Sequence, residues 1–155
     1  MRQMSPQDAR VATKLQRTEV VIAELRDSDG VWRNLSSLGG RYGYPDRSPY
    51  CVSKWRLIGF TKTLSIELGG HGIRANAILP GAVDGPRIQR VFEGRAQAAG
   101  RAVEEVRQDA MAIQSLKRLV DPRDIAALCV LLASDAGKSI AGQALPIDND
   151  SLKAS

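Results

Sequence analysis

Apolar residues recur along this chain at two different spacings, and the alternation between them lays out its elements. Val11, Leu15, Thr18, Ile22 and Leu25 fall three or four apart, which gathers them on one face of a helix. Ser5-Pro6 with Asp8 adds an N-cap, a proline suited to the first turn and an early acid, so a helix is predicted from Pro6 to Arg26. Asp27 to Gly30 interrupts that pattern. Val31 to Ser36 reads as a strand that delivers Ser36 and Ser37 at its carboxyl end. Leu38 to Pro49 holds three glycines and two prolines and reads as loop. The longest helical pattern runs from Ser48 to Leu68, with Leu57, Phe60, Leu64 and Leu68 on one stripe and Cys51, Trp55, Ile58 and Ile66 on another. A helix apolar on two sides needs two partners: one stripe is expected to cover a sheet, the other to meet a second copy of the chain as a homo-oligomer.

Gly69 to Gly72 stops that helix, and Ile73 to Leu79 is a short predicted strand ended by Pro80-Gly81. Pro86 to Ala99 and Val103 to Leu116 read as two amphipathic helices broken at Gly100. Asp121-Pro122 with Asp124 is a second cap signal, opening an apolar helix from Ile125 to Ala133. A last strand, Ala144 to Asp148, follows Gly142. Strands alternating with helices predict an α/β fold with a parallel sheet covered by helices.

Composition narrows the class. A chain of 155 residues suffices for one domain with its own core, and 43% hydrophobic with 25% charged residues is an ordinary globular balance rather than that of a disordered or fibrous chain. Its longest apolar stretch, Ile125 to Ala133, is far shorter than the roughly 20 residues that span a bilayer. The opening MRQMSPQD lacks the apolar core of a secretory signal, so a cytoplasmic location and no membrane partner are expected. Cys51 and Cys129 sit in apolar helical patterns, where a thiol behaves as a small hydrophobe. His71 stands alone in a Gly-Gly-His-Gly turn with no companions for a ligand set, so no metal site is expected. The net charge of +5 is spread along several helices and interleaved with acids, and aromatic content is 5%. That describes solvated helix faces rather than a nucleic-acid surface.

The candidate chemistry lies between Ser37 and Lys54. Tyr50 and Lys54 are four apart on a predicted helix, so their side chains share a face about one turn from each other. A phenol ordinarily ionises near pH ~10. A neighbouring ammonium and the positive end of a helix both favour the phenolate, which would make Tyr50 a usable general acid or base. Ser37, at a strand end, could hydrogen-bond the same substrate oxygen and fix it for hydride transfer. Lys54 could also hold ribose hydroxyls.

Read in order, NLSSLGG, PYCVSK, GIRANAILPG and GQALPID make this chain resemble the short-chain dehydrogenase/reductase family from about Gly30 to Asp150. The stretches IRANAILPGAVDGPR and DPRDIAALCVLLASDAGKSIAGQ are most similar to its 3-oxoacyl-carrier-protein reductase group. The resemblance implies a doubly wound, Rossmann-like sheet that binds NAD or NADP and passes hydride between nicotinamide and a ketone or secondary alcohol. By position it makes Ser37 the substrate-orienting serine, Tyr50 the acid/base and Lys54 the partner of tyrosine and ribose. Pro80, Gly81 and Val83 would line the nicotinamide through their backbone, and residues 86–116 would form the substrate lid.

Four departures from the family pattern accompany that resemblance. Relatives run to roughly 250 residues, the span of one doubly wound domain, and carry a glycine-rich turn after the first strand. No such turn precedes Ser37, so the nucleotide-binding half is expected to be missing and residues 1–29 to be a divergent helix. The Gly69 to Gly72 run follows a helix and reads as its stop. No asparagine precedes Asn34, where the family's helical asparagine is expected, and Gly85 stands where many relatives have a threonine. Arg33 falls in an otherwise apolar strand, where burial without a partner is costly. The alternative expectation is a noncatalytic module that pairs through the helix from Ser48 to Leu68.

Overall fold

A computed structural model of the chain describes residues 31–152; the helix expected from Pro6 to Arg26 lies outside them. Three strands, β1 (Val31–Leu35), β2 (Arg74–Pro80) and β3 (Ala144–Ile147), pair in that order. Both pairings are parallel, Val31 opposite Arg74 through Leu35 opposite Ile78, and Ala77 opposite Ala144 through Pro80 opposite Ile147. Parallel neighbours cannot be joined by a hairpin and need helical crossovers. The first is α1 (Ser48–Gly69); the second comprises α2 (Pro86–Ala99), α3 (Val103–Ala112) and α4 (Pro122–Ala133). This is the expected partial doubly wound α/β arrangement. β2 lies in the middle, and its near-continuous apolar run explains why: Ala75, Ala77, Ile78 and Leu79 are all buried, as a strand covered on both faces must be.

One stripe of α1 seats on that strand. Leu57, Thr61, Leu64 and Leu68 are buried, and Leu64, Leu68 and Ala75 form a core cluster with Phe60 and Ile73 packed against it. The second stripe is split: Cys51 and Ile58 are half-buried, whereas Trp55 and Ile66 are exposed by 53% and 82%. Polar side chains pin the layers in register. Asn34 Nδ2 donates to Thr61 Oγ1 at 2.8 Å, and Thr61 Oγ1 donates to Leu57 O at 2.7 Å, joining β1 to α1. Asn76 Nδ2 donates to Ile140 O at 2.9 Å while its Oδ1 accepts from Gln143 N at 3.1 Å. Arg74 donates to Ile140 O and Leu132 O. Each buried amide thus finds the partners its desolvation requires. Arg33, the suspect arginine of β1, is buried and donates from Nη1 to Cys129 O at 3.4 Å. Both cysteines are free, and burial pushes the Cys129 thiol above its ordinary range against the opposing pull of Arg33.

Several boundaries differ from the sequence reading. α1 starts at Ser48, where its helical pattern begins, and a short 3-10 turn, Leu38–Gly40, occupies the start of the stretch read as loop. α3 ends at Ala112 and not at Leu116, because the backbone beyond it is claimed by the segment after β3. Ser115 N donates to Asn149 O at 3.1 Å, Leu152 N donates to Ile113 O at 2.9 Å, and Gln114 bridges Ser151 antiparallel. α4 begins three residues before Ile125, where Asp121 Oδ1 accepts from Arg123 N at 2.8 Å, the cap that the sequence signalled. Among the described residues no helix is long and apolar enough to cross a membrane.

Leu64, 1% exposed, is a sharp test of the α1–β2 contact. Leu64→Ala is expected to lower unfolding free energy by about 2–5 kcal/mol. Glu67→Ala, on the solvent side of the same helix, should stay within about 0.5 kcal/mol; urea titration followed by circular dichroism measures both.

Candidate active site

Parallel strands deliver their carboxyl ends to one side of a sheet, and the turns that leave them meet there. After β1, Ser36 is held twice: its backbone N donates to Ile78 O at 2.8 Å and its Oγ donates to Lys54 O at 2.9 Å. Ser37 then caps the 3-10 turn, its Oγ accepting from Gly39 N at 3.2 Å. That bond orients the oxygen and leaves the hydroxyl hydrogen to be donated elsewhere. The close approach of α1 requires glycine at positions 39 and 40. A Cβ on Gly39 would lie 2.8 Å from Tyr50 Cε1, and one on Gly40 would lie 2.7 Å from Ser36 Oγ and 3.0 Å from Lys54 O. Without side chains at these two positions, the first turns of α1 press directly onto the serine turn.

Ser37, Tyr50, Pro80, Gly81 and Val83 all line one cavity of about 430 Å³, within the usual range for small-molecule sites. Five of the positions singled out from sequence are thereby brought together. The sixth, Lys54, is not part of that lining. Its Nζ donates to Leu35 O at 3.2 Å and lies 5.8 Å from the centroid of the Tyr50 ring. Burial holds the Lys54 ammonium below the ordinary lysine range, and the Arg87 guanidinium pushes the same way. The lysine is thus anchored to the end of β1 behind the phenol.

Gly81 packs so closely on β3's exit that a Cβ would come within 2.9 Å of Asp148 Cα. Asp148 is buried, accepts from Asp150 N at 3.1 Å and faces Arg41 of the serine loop at 3.9 Å. A single side chain therefore braces the turns after β1 and β3, while its backbone meets the turn after β2. Gly85 has φ +147°, a conformation that favours glycine.

Sequence reasoning missed the part of the wall built by Tyr44 and the arginines around it. Tyr44 meets Tyr50 edge to face with centroids 6.4 Å apart. Arg95 Nη2 donates to the Tyr44 hydroxyl at 2.6 Å, and Arg47 stacks 5.6 Å from the Tyr44 ring centroid. Ile88, Val91 and Phe92 of α2 with Ala110 of α3 give the opposite, apolar wall, backed by the cluster of Phe92, Ala96, Val106 and Ala110. The clustered tyrosines of YGYP were the signal for the Tyr44 side, whereas the apolar side falls within residues 86–116, where the resemblance put a lid. Among the described residues no group of three or more His, Cys, Asp or Glu side chains could hold a metal ion.

A family model described as enoyl-(acyl carrier protein) reductase matches residues 13–149. A putative ketoacyl reductase of the monensin polyketide synthase from Streptomyces virginiae is 40% identical over 114 residues, 74% of this chain and 44% of that protein. A 3-oxoacyl-(acyl-carrier-protein) reductase from Thermotoga maritima is 33% identical over 129 residues, 83% of this chain and 48% of that protein. Among solved structures, a variant actinorhodin polyketide ketoreductase with NADPH superposes with TM-score 0.74 at 29% identity, covering 92% of this chain and 51% of its own. The chain spans about half the length of the curated relatives it matches.

The environment of Lys54 gives a signed stability prediction. Its folded pKa lies below the ordinary 10.5, so the unfolded chain binds more protons in the interval between the two. The penalty is full below the folded value and is relieved as pH rises toward 10.5. Melting temperature measured across that alkaline window should rise for the native chain relative to Lys54→Met, in which the difference is abolished.

Proposed function

The chain belongs to the short-chain dehydrogenase/reductase family, and from that premise we propose that it acts in hydride transfer between NAD or NADP and a ketone or secondary alcohol. The observation that carries this reading is the convergence of Ser37 and Tyr50 with Pro80, Gly81 and Val83 on one cavity. In the reducing direction the Ser37 hydroxyl donates a hydrogen bond to the substrate carbonyl oxygen and holds the carbon in line for attack. Tyr50 transfers its hydroxyl proton to that oxygen as the alkoxide forms, and the phenol is restored from solvent. Lys54, fixed by Leu35 O, keeps a positive charge behind the ring where negative charge develops. The reverse direction runs the same proton from alcohol to Tyr50.

Pro80, Gly81 and Val83 would hold the nicotinamide end of the cofactor through their backbone, and Tyr50 and Lys54 would hold its ribose hydroxyls. When bound, the cofactor supplies or accepts the hydride. The wall formed by Ile88, Val91, Phe92 and Ala110 suits a short acyl chain, and supports a 3-oxoacyl substrate of the kind named for the relatives. The apolar face of α1 supports a second, compatible role in pairing two copies of the chain. Val52, Trp55 and Ile66 fall on one side of the helix and are exposed by 68%, 53% and 82%, large apolar side chains of the kind that a second copy could cover.

Calorimetry with NADH and NADPH, followed by turnover of short 3-oxoacyl esters, tests the principal reading. Cofactor binding is expected, and Tyr50→Phe should lower turnover by about 10²–10⁴-fold with melting temperature unchanged. Failure to bind either cofactor rejects the redox role for this chain. For the pairing role, sedimentation should give a dimer or higher species that Trp55→Glu converts to monomer. A native chain that sediments only as a monomer excludes it.

A further inference from the structure

The charge around the cavity is lopsided in a way that hydride transfer to a neutral ester does not need. Arg47, Arg87 and Arg95 line it, against the single carboxylate of Asp84. Two helices also open onto it by their amino ends: Arg47 is the N-cap of α1, and Pro86 and Arg87 are the first residues of α2. Neither end carries a side-chain cap, and neither has an acid in its first turn. Their unsatisfied N–H groups and dipoles therefore add positive potential to that of the guanidinium groups. Among the described residues no ion pair engages Arg47 or Arg87. Arg47 is instead laid on the Tyr44 ring, and Tyr44 is held by Arg95. A flat cation shelved on an aromatic face keeps its fork free to meet an oxyanion from one side.

We propose that the cavity selects a carbonyl substrate bearing a free carboxylate, gripped by Arg47 and Arg87, with its carbonyl oxygen directed to Ser37 and Tyr50. The proposal rests on the hydride-transfer reading for the carbonyl end, whereas the arginine grip can be measured without turnover. Arg95 acts as a positioning residue through Tyr44. The apolar wall of Ile88, Val91, Phe92 and Ala110 on the same cavity would take the short carbon chain that joins the two ends. Such a substrate is a free oxo acid, distinguished from a carrier-bound acyl thioester by having its charge on the small molecule itself.

The test is calorimetric titration of the whole chain with acetoacetate and with methyl acetoacetate, which differ in the charge and the ester methyl. Acetoacetate is expected to bind about tenfold tighter or more, as one charge-assisted contact supplies, and the advantage should shrink as salt is raised. Arg47→Gln and Arg87→Gln should each erase most of it; both side chains are exposed, and far-ultraviolet circular dichroism checks that the fold is kept. Equal affinity for acid and ester overturns the proposal, and that comparison on the native chain stands even if a variant misfolds. Inorganic phosphate binding through the same arginines more tightly than acetoacetate would overturn the carboxylate assignment. Displacement of acetoacetate by saturating NADPH would assign the arginines to cofactor phosphates and overturn it too; retained binding supports it. An acid preference in a chain that binds neither NADH nor NADPH would remove the redox role while leaving the carboxylate grip standing.

Discussion

At Gly39 and Gly40 the backbone carries no side chain to hold the helix away, and α1 leans directly on the turn that leaves β1. Tyr50 carbon atoms and the Lys54 carbonyl occupy the space where two Cβ atoms would otherwise sit. That approach brings the Ser36 hydroxyl within 2.9 Å of Lys54 O and sets Lys54 Nζ 3.2 Å from Leu35 O. Serine turn and helix start thus become one rigid piece. The relative disposition of Ser37, Tyr50 and Lys54 follows from this contact, and a separation of even a methyl group would undo it, because tightly packed interiors transmit such displacements rather than absorb them.

A second set of constraints places that piece over the sheet. Buried polar side chains are costly unless matched, so Asn34 on Thr61 and Asn76 between Ile140 and Gln143 each allow only one register of their elements. Hydrophobic contacts such as Leu64 on Ala75 hold the layers together but would tolerate sliding. The amides forbid it. Shifting β1 by one residue along β2 would turn Asn34 away from Thr61 and remove Ser36 from Ile78, and the serine turn would leave the cavity with it.

Much of this was readable in the order of residues where the cause is local. Helix spacing at Leu57, Leu64 and Leu68, the Asp121 cap and the Pro80-Gly81 stop each act within a few residues, and the corresponding elements stand close to their expected bounds. Ser37, Tyr50 and Lys54 were legible through the order of the motifs around them, NLSSLGG, PYCVSK and GIRANAILPG, since the spacing of Tyr50 and Lys54 alone says only that they share a helix face. The end of α3 was not, since the groups that claim the backbone of Ser115 and Leu116 come from Asn149 and Asp150 at the far end of the chain. The basic rim was equally hidden. Arg47, Arg87 and Arg95 look like solvated helix faces until the fold carries two helix starts to one opening, and no periodicity encodes that convergence.

Asp148 has a consequence for the order of events at the ribosome. Domains generally form as the chain emerges from its amino end, and here Ser37, Tyr50 and Gly81 are all translated long before the side chain that braces the loops around them. Ser151, which lines the cavity and bridges Gln114, emerges later still. The nascent chain can pair β1, α1 and β2 early, yet the cavity stays unfinished until Asp148 and Ser151 clear the exit tunnel.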